Sequence, residues 1–192
     1  MLMPADSRIV VLDVHGVIFT NPLTRFLAEL AQRHGRESAE VLQTWTSQLR
    51  RPFWLGQLDE QRMWQTLFPA SEPDALTAEL EQRYAKGPLF DALADIDEPM
   101  WLLSNHRTHW LLPRLARFGL ADRFERVYVS DAIGFVKPEA EAFRLVQREA
   151  GEHTVTYVDD KWANVTVAAE IFAEALIVDE ADRLTTTRIA AR

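Results

Sequence analysis

The chain has no cysteine, and this absence removes several kinds of function at once. Without thiols it can have no disulfide framework, no thiolate zinc site and no cysteine nucleophile. Positive charge is not in excess either, because 21 Lys and Arg stand against 29 Asp and Glu, for a net charge of −8. Nucleic-acid binding depends on clustered cations, so we expect no nucleic-acid partner.

A long apolar run is also missing. No stretch approaches the roughly 20 apolar residues of a membrane helix, and the first residues, MLMPADSR, lack the cationic start and apolar stretch of a signal peptide. We therefore expect no membrane association. We also expect a cytoplasmic location, with which the lack of cysteine agrees.

The composition that remains is typical of a soluble globular protein. Apolar residues make up 47% and charged residues 26% of the 192 positions, which is the usual balance for such a protein. The length accommodates one core domain with a small inserted domain. We expect a monomer or a weak homodimer.

Five apolar segments of strand length recur along the chain. Helical patterns at 108–118, 138–150 and 162–172 separate the last four of them, and repeated units of this kind predict a parallel sheet with helices on both faces. The five predicted strands are 9–13, 100–104, 126–130, 155–159 and 175–178.

Between the first two predicted strands, the chain has mainly helical patterns. Asn21-Pro22 and Gly87-Pro88 bracket this stretch, which predicts a helical domain of residues 21–87 inserted into a core domain of residues 1–20 and 88–192. The tail 180–192 carries no clear pattern and is compatible with a partly frayed helix. The predicted helices of the insertion are 22–34, 38–49, 59–68 and 74–84.

Polar residues follow the predicted strands, or nearly follow them, in four places. In parallel sheets, ligands bind beyond the carboxyl ends of the strands. The four places supply a carboxylate nucleophile, a hydroxyl donor, a fixed cation and metal-binding carboxylates, which are the groups that phosphoryl transfer needs. They are Asp13, Ser104-Asn105, Lys137 and Asp159-Asp160.

Each of these residues also has a simpler interpretation. Asp13 would attack phosphorus, or else would cap a turn at a strand end. Asp159 and Asp160 are adjacent acids that a cation would relieve of mutual repulsion, or a solvated pair that caps the next helix. Mg²⁺ prefers such oxygen ligands.

The residues predicted to hold phosphate also have two possible interpretations each. Lys137 precedes Pro138 and could place a cation beside Asp13, although a surface lysine is the ordinary alternative. Ser104 offers a hydroxyl and Asn105 a backbone N–H at a strand-to-helix turn, where both residue types are also common loop formers.

Together these motifs resemble the haloacid dehalogenase (HAD) superfamily. The resemblance rests on LSN at 103–105, GFVKPEAEAF at 134–143 and VDDKWANV at 158–165, and more weakly on GQLDEQRMW at 56–64. It is strongest to the branch with a small helical cap after the first strand. That branch includes bacterial sugar-phosphate phosphatases and the N-terminal phosphatase domain of epoxide hydrolases.

This resemblance implies an α/β fold with a Rossmannoid parallel sheet in the order 5-4-1-2-3 and an inserted helical cap. It implies Mg²⁺-dependent hydrolysis of a small phosphorylated substrate, a phosphate monoester, through an aspartyl-phosphate on Asp13. The metal ligands would be Asp13, the backbone carbonyl of His15, and Asp160, with Asp159 bound directly or through water. Three residues would hold the phosphoryl group: Ser104, Asn105 and Lys137.

The chain departs from the family at His15, where a second aspartate usually acts as general acid and base. Histidine can still transfer protons, because its unperturbed pKa of about 6.5 lies near neutral pH. Two alternatives therefore stay open: a non-hydrolytic transfer reaction of an aspartate nucleophile in a biosynthetic pathway, and a non-catalytic binding or regulatory protein.

Aromatic residues are frequent in the predicted insertion, and most are expected to be core residues. We expect Trp54 to form a wall of the substrate cavity, because it lies between Pro52 and Gly56 in a predicted turn. We expect the polar residues after Asn105 to lie at the rim of the entrance: His106, Arg107 and His109.

Overall fold

A six-stranded sheet forms the centre of the fold in the computed structural model, which describes residues 8–178 and 184–186. The strand order is β3-β2-β1-β4-β5-β6, and the first five strands are parallel. This confirms the predicted order of five strands. The strands are β1 (Arg8–Leu12), β2 (Met100–Ser104), β3 (Arg126–Val129), β4 (Thr154–Asp159), β5 (Glu174–Val178) and β6 (Leu184–Thr186).

The sixth strand was not predicted. Residues 184–186 pair antiparallel with β5, with Leu176 opposite Thr186, where the sequence had suggested a frayed helix. A free sheet edge offers unpaired N–H and C=O groups, and threonine favours extended backbone. The other residues predicted for the tail helix lie outside the described residues.

The register of the sheet brings the predicted site residues to one edge. Leu12 pairs with Leu102 on one side and with Val158 on the other. The backbone N–H of Asp13 also donates to the carbonyl of Val158, at 2.8 Å. As a result, β1 and β4 end side by side, and Asp13 lies beside Asp159.

Both faces of the sheet are covered, as continuous apolar strands require. Side chains alternate along β1, so Val11 faces one hydrophobic cluster and Leu12 the other. Helices α8 (Ala140–Ala150) and α9 (Trp162–Ala169) cover the first face. Helix α6 (Thr108–Arg117) packs on the opposite face.

The helical segment of residues 21–87 covers the same face as α6. Its side chains Phe26, Trp64 and Leu80 belong to one hydrophobic cluster with Leu12 and Leu102 of the sheet. Its helices are α1 (Leu23–Arg33), α2 (Ser38–Thr44), α3 (Arg50–Trp54), α4 (Glu60–Leu67) and α5 (Pro73–Gln82).

A π-helical turn at Trp45–Leu49 joins α2 to α3, so the helix runs on to Trp54. Trp54 is thus the last residue of the helix, and the predicted turn follows it at Leu55 and Gly56. Pro52 lies within this helix, three residues after the π-helical turn, and does not end it. The predicted start of α4 is confirmed, since Asp59 accepts a hydrogen bond from the backbone N–H of Arg62, at 2.6 Å.

The two ends of the helical segment are paired with each other. The N–H of Thr20 donates to the carbonyl of Ala85, and the N–H of Gly87 donates to the carbonyl of Ile18, at 3.0 and 2.7 Å. A Cβ on Gly87 would lie 2.9 Å from the Ile18 and Phe19 backbones. Only glycine therefore allows this close approach.

Two short helices complete the fold, a 3₁₀ helix at Asp91–Asp95 and α7 (Ser130–Ile133). Ser130 begins α7, whereas the sequence had placed it at the end of a strand. None of the helices within residues 8–178 and 184–186 is both long and apolar enough to cross a bilayer.

Candidate active site

A buried lysine connects two of the predicted acids at the carboxyl edge of the sheet. Lys137 Nζ lies 2.8 Å from Asp13 Oδ1 and 2.8 Å from Asp159 Oδ2. All three side chains are almost completely buried. Burial of charges is unfavourable unless they are paired, so the three residues depend on one another.

The electrostatics of this group follow from burial and from the central cation. Burial raises the pKa of Asp13, although Lys137 partly offsets the effect. Burial also disfavours the charged form of Asp159, but Lys137, the Tyr157 hydroxyl and Lys161 together outweigh it, and the pKa is lowered. The two carboxylates overcome the effect of burial on Lys137 and raise its pKa. Lys137 is therefore a fixed cation at neutral pH.

Asp159 is saturated with hydrogen bonds. Its Oδ2 accepts from Asn164 Nδ2 and Lys137 Nζ, each at 2.8 Å, and from the hydroxyl of Tyr157. Its Oδ1 accepts from the backbone N–H of Lys161, at 2.8 Å. With four donors in place, this carboxylate is better suited to orienting its neighbours than to binding a cation directly.

Sequence reasoning missed Tyr157 and Asn164, although signals for both were present. Tyr157 lies two residues before Asp159 on the same strand, so both side chains point to one face. Asn164 belongs to the VDDKWANV motif, in the first turn of α9. A polar residue at such a position could have been assigned to the site.

Asp160, unlike Asp159, has a carboxylate oxygen that is free to bind a cation. Its Oδ1 is buried and has no hydrogen-bond partner among the described residues, and Lys161 Nζ is 3.8 Å from it. Burial raises the pKa of Asp160 to about 7 against the effect of Lys161, and Asp13 and Asp159 add to the rise. A buried carboxylate oxygen without a donor is costly, and a bound cation would compensate it.

Three carboxylates lie together here: oxygens of Asp13, Asp159 and Asp160, the carboxylate trio, lie within 4.8 Å of one another. Gly16 makes room for them. It has φ +87°, and a Cβ there would lie 2.2 Å from Asp160 Oδ2. Hard oxygen ligands in this arrangement are those that Mg²⁺ binds. The residues present therefore fit a magnesium ion.

The structure places Ser104 and Asn105 differently with respect to the site. Ser104 is buried, and its Oγ has no hydrogen-bond partner within the described part of the chain. The Asn105 side chain instead holds the backbone of Lys137, since its Nδ2 donates to the Lys137 carbonyl and its Oδ1 accepts from the Lys137 N–H, both at 2.7 Å. Asn105 thus positions the lysine.

His15 does not lie in a solvated environment. Its ring stacks on His106 with centroids 4.5 Å apart, and its Nε2 is 2.6 Å from Arg114 Nη1. Arginine only donates hydrogen bonds, so Nε2 is the acceptor and the ring proton is on Nδ1. Burial, together with His106 and Arg114, lowers the pKa of His15 well below its usual value. The ordinary pKa that the sequence prediction assumed does not apply.

Arg114 is the most consequential residue that sequence reasoning missed. It is buried in α6, its Nε donates to Glu81 Oε2 at 3.1 Å, and its guanidinium lies 3.3 Å from the ring centroid of Tyr84. A signal was available, because Arg114 lies four residues after the buried Trp110 and one before the buried Leu115. A charged residue in an apolar stripe requires a buried partner.

The predicted polar rim is only partly correct. His106 is buried and stacks on Trp54 with centroids 5.1 Å apart. Arg107 is largely covered and donates to the carbonyl of Leu58, at 2.7 Å. His109 is exposed, with Nε2 2.9 Å from Glu60 Oε2. His106 is therefore part of the wall of the site.

A cavity of about 660 Å³ lies next to these residues. It is lined by Asp13, His15 and Lys137 of the sheet edge, and by residues of the helical segment. That size is within the range of about 300–1,000 Å³ typical of small-molecule sites. Trp54 lines the cavity, as predicted. The other lining residues of the helical segment include Trp45, Thr46, Arg50 and Tyr84.

The burial of His106 predicts acid sensitivity. Burial lowers the pKa of His106 to about 3, whereas an unfolded histidine titrates near 6.5. Below about pH 6.5 the unfolded chain binds a proton that the folded chain excludes, so stability falls as the pH falls. Between pH 7 and pH 5 this residue should contribute about 2 kcal/mol of that loss.

Urea unfolding of the wild type and His106→Gln at the two pH values measures this contribution. The variant should lose less stability between pH 7 and pH 5, because glutamine does not titrate. The control is His34→Gln, which changes an exposed histidine and should keep the pH dependence of the wild type. Equal pH dependence in His106→Gln and the wild type would contradict the assignment.

Comparison with known proteins agrees with the topology. A sequence model of the haloacid dehalogenase-like hydrolases, of the hydrolase class, matches residues 8–171. No curated protein matches the chain significantly.

Solved structures also match. A HAD family enzyme from Bacteroides thetaiotaomicron has a TM-score of 0.72 at 17% identity, covering 90% of this chain and 93% of that one. Its wild-type complex with magnesium and inorganic phosphate has a TM-score of 0.68 at 20% identity, covering 89% and 93%. L-2-haloacid dehalogenase from Xanthobacter autotrophicus, with chloropropionic acid covalently bound, has a TM-score of 0.62 at 19% identity, covering 88% and 76%. At these identities the likeness concerns the fold.

Proposed function

Because the chain belongs to the haloacid dehalogenase-like hydrolases, we propose that it hydrolyses a small phosphate monoester in a magnesium-dependent reaction with Asp13 as the nucleophile. The observation that carries the proposal is the buried, unpartnered Asp160 Oδ1 within the carboxylate trio. An anionic phosphate can approach Asp13 only where positive charge offsets the neighbouring acids. The magnesium and phosphate in the complex of the Bacteroides enzyme support the same reaction class.

Attack on carbon is the main competing reaction within this fold, since the Xanthobacter dehalogenase holds an organic acid covalently. The carboxylate trio favours attack on phosphorus over attack on carbon. Two acids beside the nucleophile add negative charge, which serves no purpose for displacement at carbon but forms a metal site for phosphoryl transfer.

We assign the metal ligands to Asp13, Asp160 and the backbone carbonyl of His15. Asp159 would bind through water, because its oxygens already accept four donors. When bound, magnesium neutralises the acids and draws negative charge from the phosphoryl oxygens.

In the first step, Asp13 Oδ2 attacks phosphorus. Its Oδ1 is contacted by Lys137 Nζ at 2.8 Å and by the Val14 N–H at 2.7 Å. Asp13 would hold the metal through this same oxygen, which leaves Oδ2 available. A bond forms between Oδ2 and phosphorus, and the bond from phosphorus to the leaving oxygen breaks. Lys137, the Ser104 hydroxyl and the Asn105 backbone N–H hold the phosphoryl oxygens.

In the second step, water attacks the phosphorus of the aspartyl-phosphate. The bond between phosphorus and Asp13 breaks, inorganic phosphate leaves, and the carboxylate is restored. The chain thus returns to its starting state after consuming one water.

His15 has a narrower role than the aspartate that usually occupies its position. Its Nε2 accepts from Arg114, so only Nδ1–H can face a ligand. Loss of that proton would create an imidazolate, which is far too basic to form near neutral pH. We infer that His15 donates a hydrogen bond to the leaving oxygen and that water supplies the proton. This arrangement favours esters with good leaving groups.

The same geometry keeps phosphoryl transfer to another acceptor as a second candidate. With Nε2 occupied, His15 cannot activate the water of the second step, so an acceptor more nucleophilic than water would compete well. Adding glycerol during turnover and measuring glycerol phosphate against inorganic phosphate distinguishes the two reactions.

Asp160→Asn tests the proposed function directly. Phosphate release from an aryl phosphate is measured against Mg²⁺ concentration. The wild type should release phosphate only with Mg²⁺, and the variant should need at least about tenfold more Mg²⁺ for half its maximal rate, because a ligand charge is lost.

The control for this measurement is Asp91→Asn, which removes an exposed acid paired with Lys86 and should leave the Mg²⁺ dependence unchanged. Phosphate release by the wild type that does not depend on Mg²⁺ would refute the metal mechanism. An unshifted curve for Asp160→Asn would refute the role of Asp160.

A further inference from the structure

The cations that line the cavity differ in one respect. Lys137 pairs with Asp13 and Asp159, Lys161 faces Asp160 at 3.8 Å, and Arg51 Nη2 is 2.8 Å from Glu139 Oε1. Arg50 also lines the cavity, but it has no carboxylate partner in the part of the chain that the structure describes. Arg50 is exposed on the cavity wall, so its guanidinium is accessible to a ligand.

The π-helical turn fixes the position of Arg50. The backbone N–H of Arg50 donates to the carbonyl of Trp45, five residues earlier, so these two residues lie above one another on the helix. A regular α-helix would place four-residue neighbours there instead. Turns of this kind are frequent at functional sites, and this one brings Trp45 and Arg50 to the cavity together.

Apolar and aromatic side chains make up about half of the remaining wall, beside the polar side chains of Asn21, Thr24, Thr46 and Arg51. Trp45 and Trp54 meet edge to face with centroids 5.6 Å apart, and both line the cavity with Tyr84 and Leu23. Such a surface suits a ring or another apolar body. An arginine beside it suits a carboxylate or a phosphate, because the guanidinium donates two parallel hydrogen bonds to either group.

We propose that Arg50 binds a second acidic group of the substrate, so that the cavity prefers phosphate monoesters that carry an additional carboxylate or phosphate on an apolar or ring body. The proposal rests on the proposed function, in which Asp13 and Lys137 receive the scissile phosphate at the sheet edge. Arg50, which belongs to the helical segment, would bind the part of the substrate that lies away from this phosphate.

The test compares three esters: phenyl phosphate, 4-carboxyphenyl phosphate and 1,4-phenylene bisphosphate. For each enzyme, kcat/KM for an acidic ester is divided by that for phenyl phosphate, so that leaving-group differences cancel between enzymes. Arg50→Met should lower this ratio about tenfold, the effect of losing one charged hydrogen-bonded contact. Arg50→Lys should restore part of it. The larger effect, with the carboxylate or with the second phosphate, identifies the acid.

Arg62→Met is the matched control. Arg62 is exposed, does not line the cavity, and its replacement changes the net charge equally, so its ratio should equal that of the wild type. If Arg50→Met lowers kcat/KM for all three esters by the same factor, or leaves the ratio unchanged, the proposal is wrong.

Binding separates this proposal from the proposed function. Calorimetry in the presence of Mg²⁺ measures the dissociation constant of each ester for Asp13→Asn, which does not turn over, and for Asp13→Asn combined with Arg50→Met. The affinity for an acidic ester divided by that for phenyl phosphate is then the binding counterpart of the kinetic ratio. A ratio that falls while the wild type hydrolyses none of the esters would support the Arg50 site and refute the phosphatase. Hydrolysis of the esters with an unchanged ratio would support the phosphatase and refute the Arg50 site. If no ester binds, both are wrong.

Discussion

Asp13→Asn is expected to lower the rate of phosphate release by about 10⁴-fold or more, the usual effect of removing a nucleophile. The amide cannot form the bond to phosphorus, whereas its oxygen can still accept from Lys137 and from the Val14 N–H, which now meet Asp13 Oδ1. The fold should therefore persist. Phosphate release and the thermal unfolding midpoint are measured together.

Asp91→Asn again serves as the charge-matched control and should retain full activity. Acid quenching of the wild type during turnover should trap phosphate on Asp13, and the variant should trap none. A variant that keeps a tenth of the wild-type rate would exclude Asp13 as the nucleophile. Absence of both turnover and trapped phosphate in the wild type would favour a binding or regulatory protein.

Lys137→Met should have the second largest effect. We expect kcat/KM to fall by about 10²–10³-fold, because the fixed cation that offsets phosphoryl charge is lost. Asp13 and Asp159 would also be left buried without their shared partner, which should lower the free energy of unfolding by about 3–5 kcal/mol at neutral pH.

A double variant separates these two effects. Adding Asp159→Asn to Lys137→Met removes one of the uncompensated charges, so stability should recover in part while activity stays low. The exposed Lys86→Met is the control and should change neither property. If the double variant recovers activity together with stability, Lys137 has a structural role only.

Much of the site was predictable because its residues follow strands. Continuous apolar runs identified the five parallel strands, and the ends of parallel strands meet at one sheet edge. Asp13 and the two acids at the end of β4 could therefore be grouped before any distance was known. Lys137, which follows α7 and not a strand, was added to them by its sequence motif. The VDDKWANV motif even contained the amide that supports Asp159.

The contribution of the helices was less predictable, for a physical reason. A helical period indicates which face is buried, but it does not indicate which polar group a buried arginine will meet. The contact between Arg114 and His15 joins residues 99 positions apart in the sequence. The π-helical turn has no sequence signal that we could use, and it decides where Trp45 and Arg50 point.

The hydrogen-bonded chain from Glu81 through Arg114 to His15 has a consequence for how homologous sequences can vary. An aspartate at position 15 would form an ion pair with Arg114, and this pairing would hold it ionised and unable to donate a proton. Regaining the usual family residue would therefore not by itself regain its chemistry. We expect positions 15, 81 and 114 to covary: lineages with aspartate at 15 should have lost the arginine, and lineages that keep the arginine should keep an acid at 81.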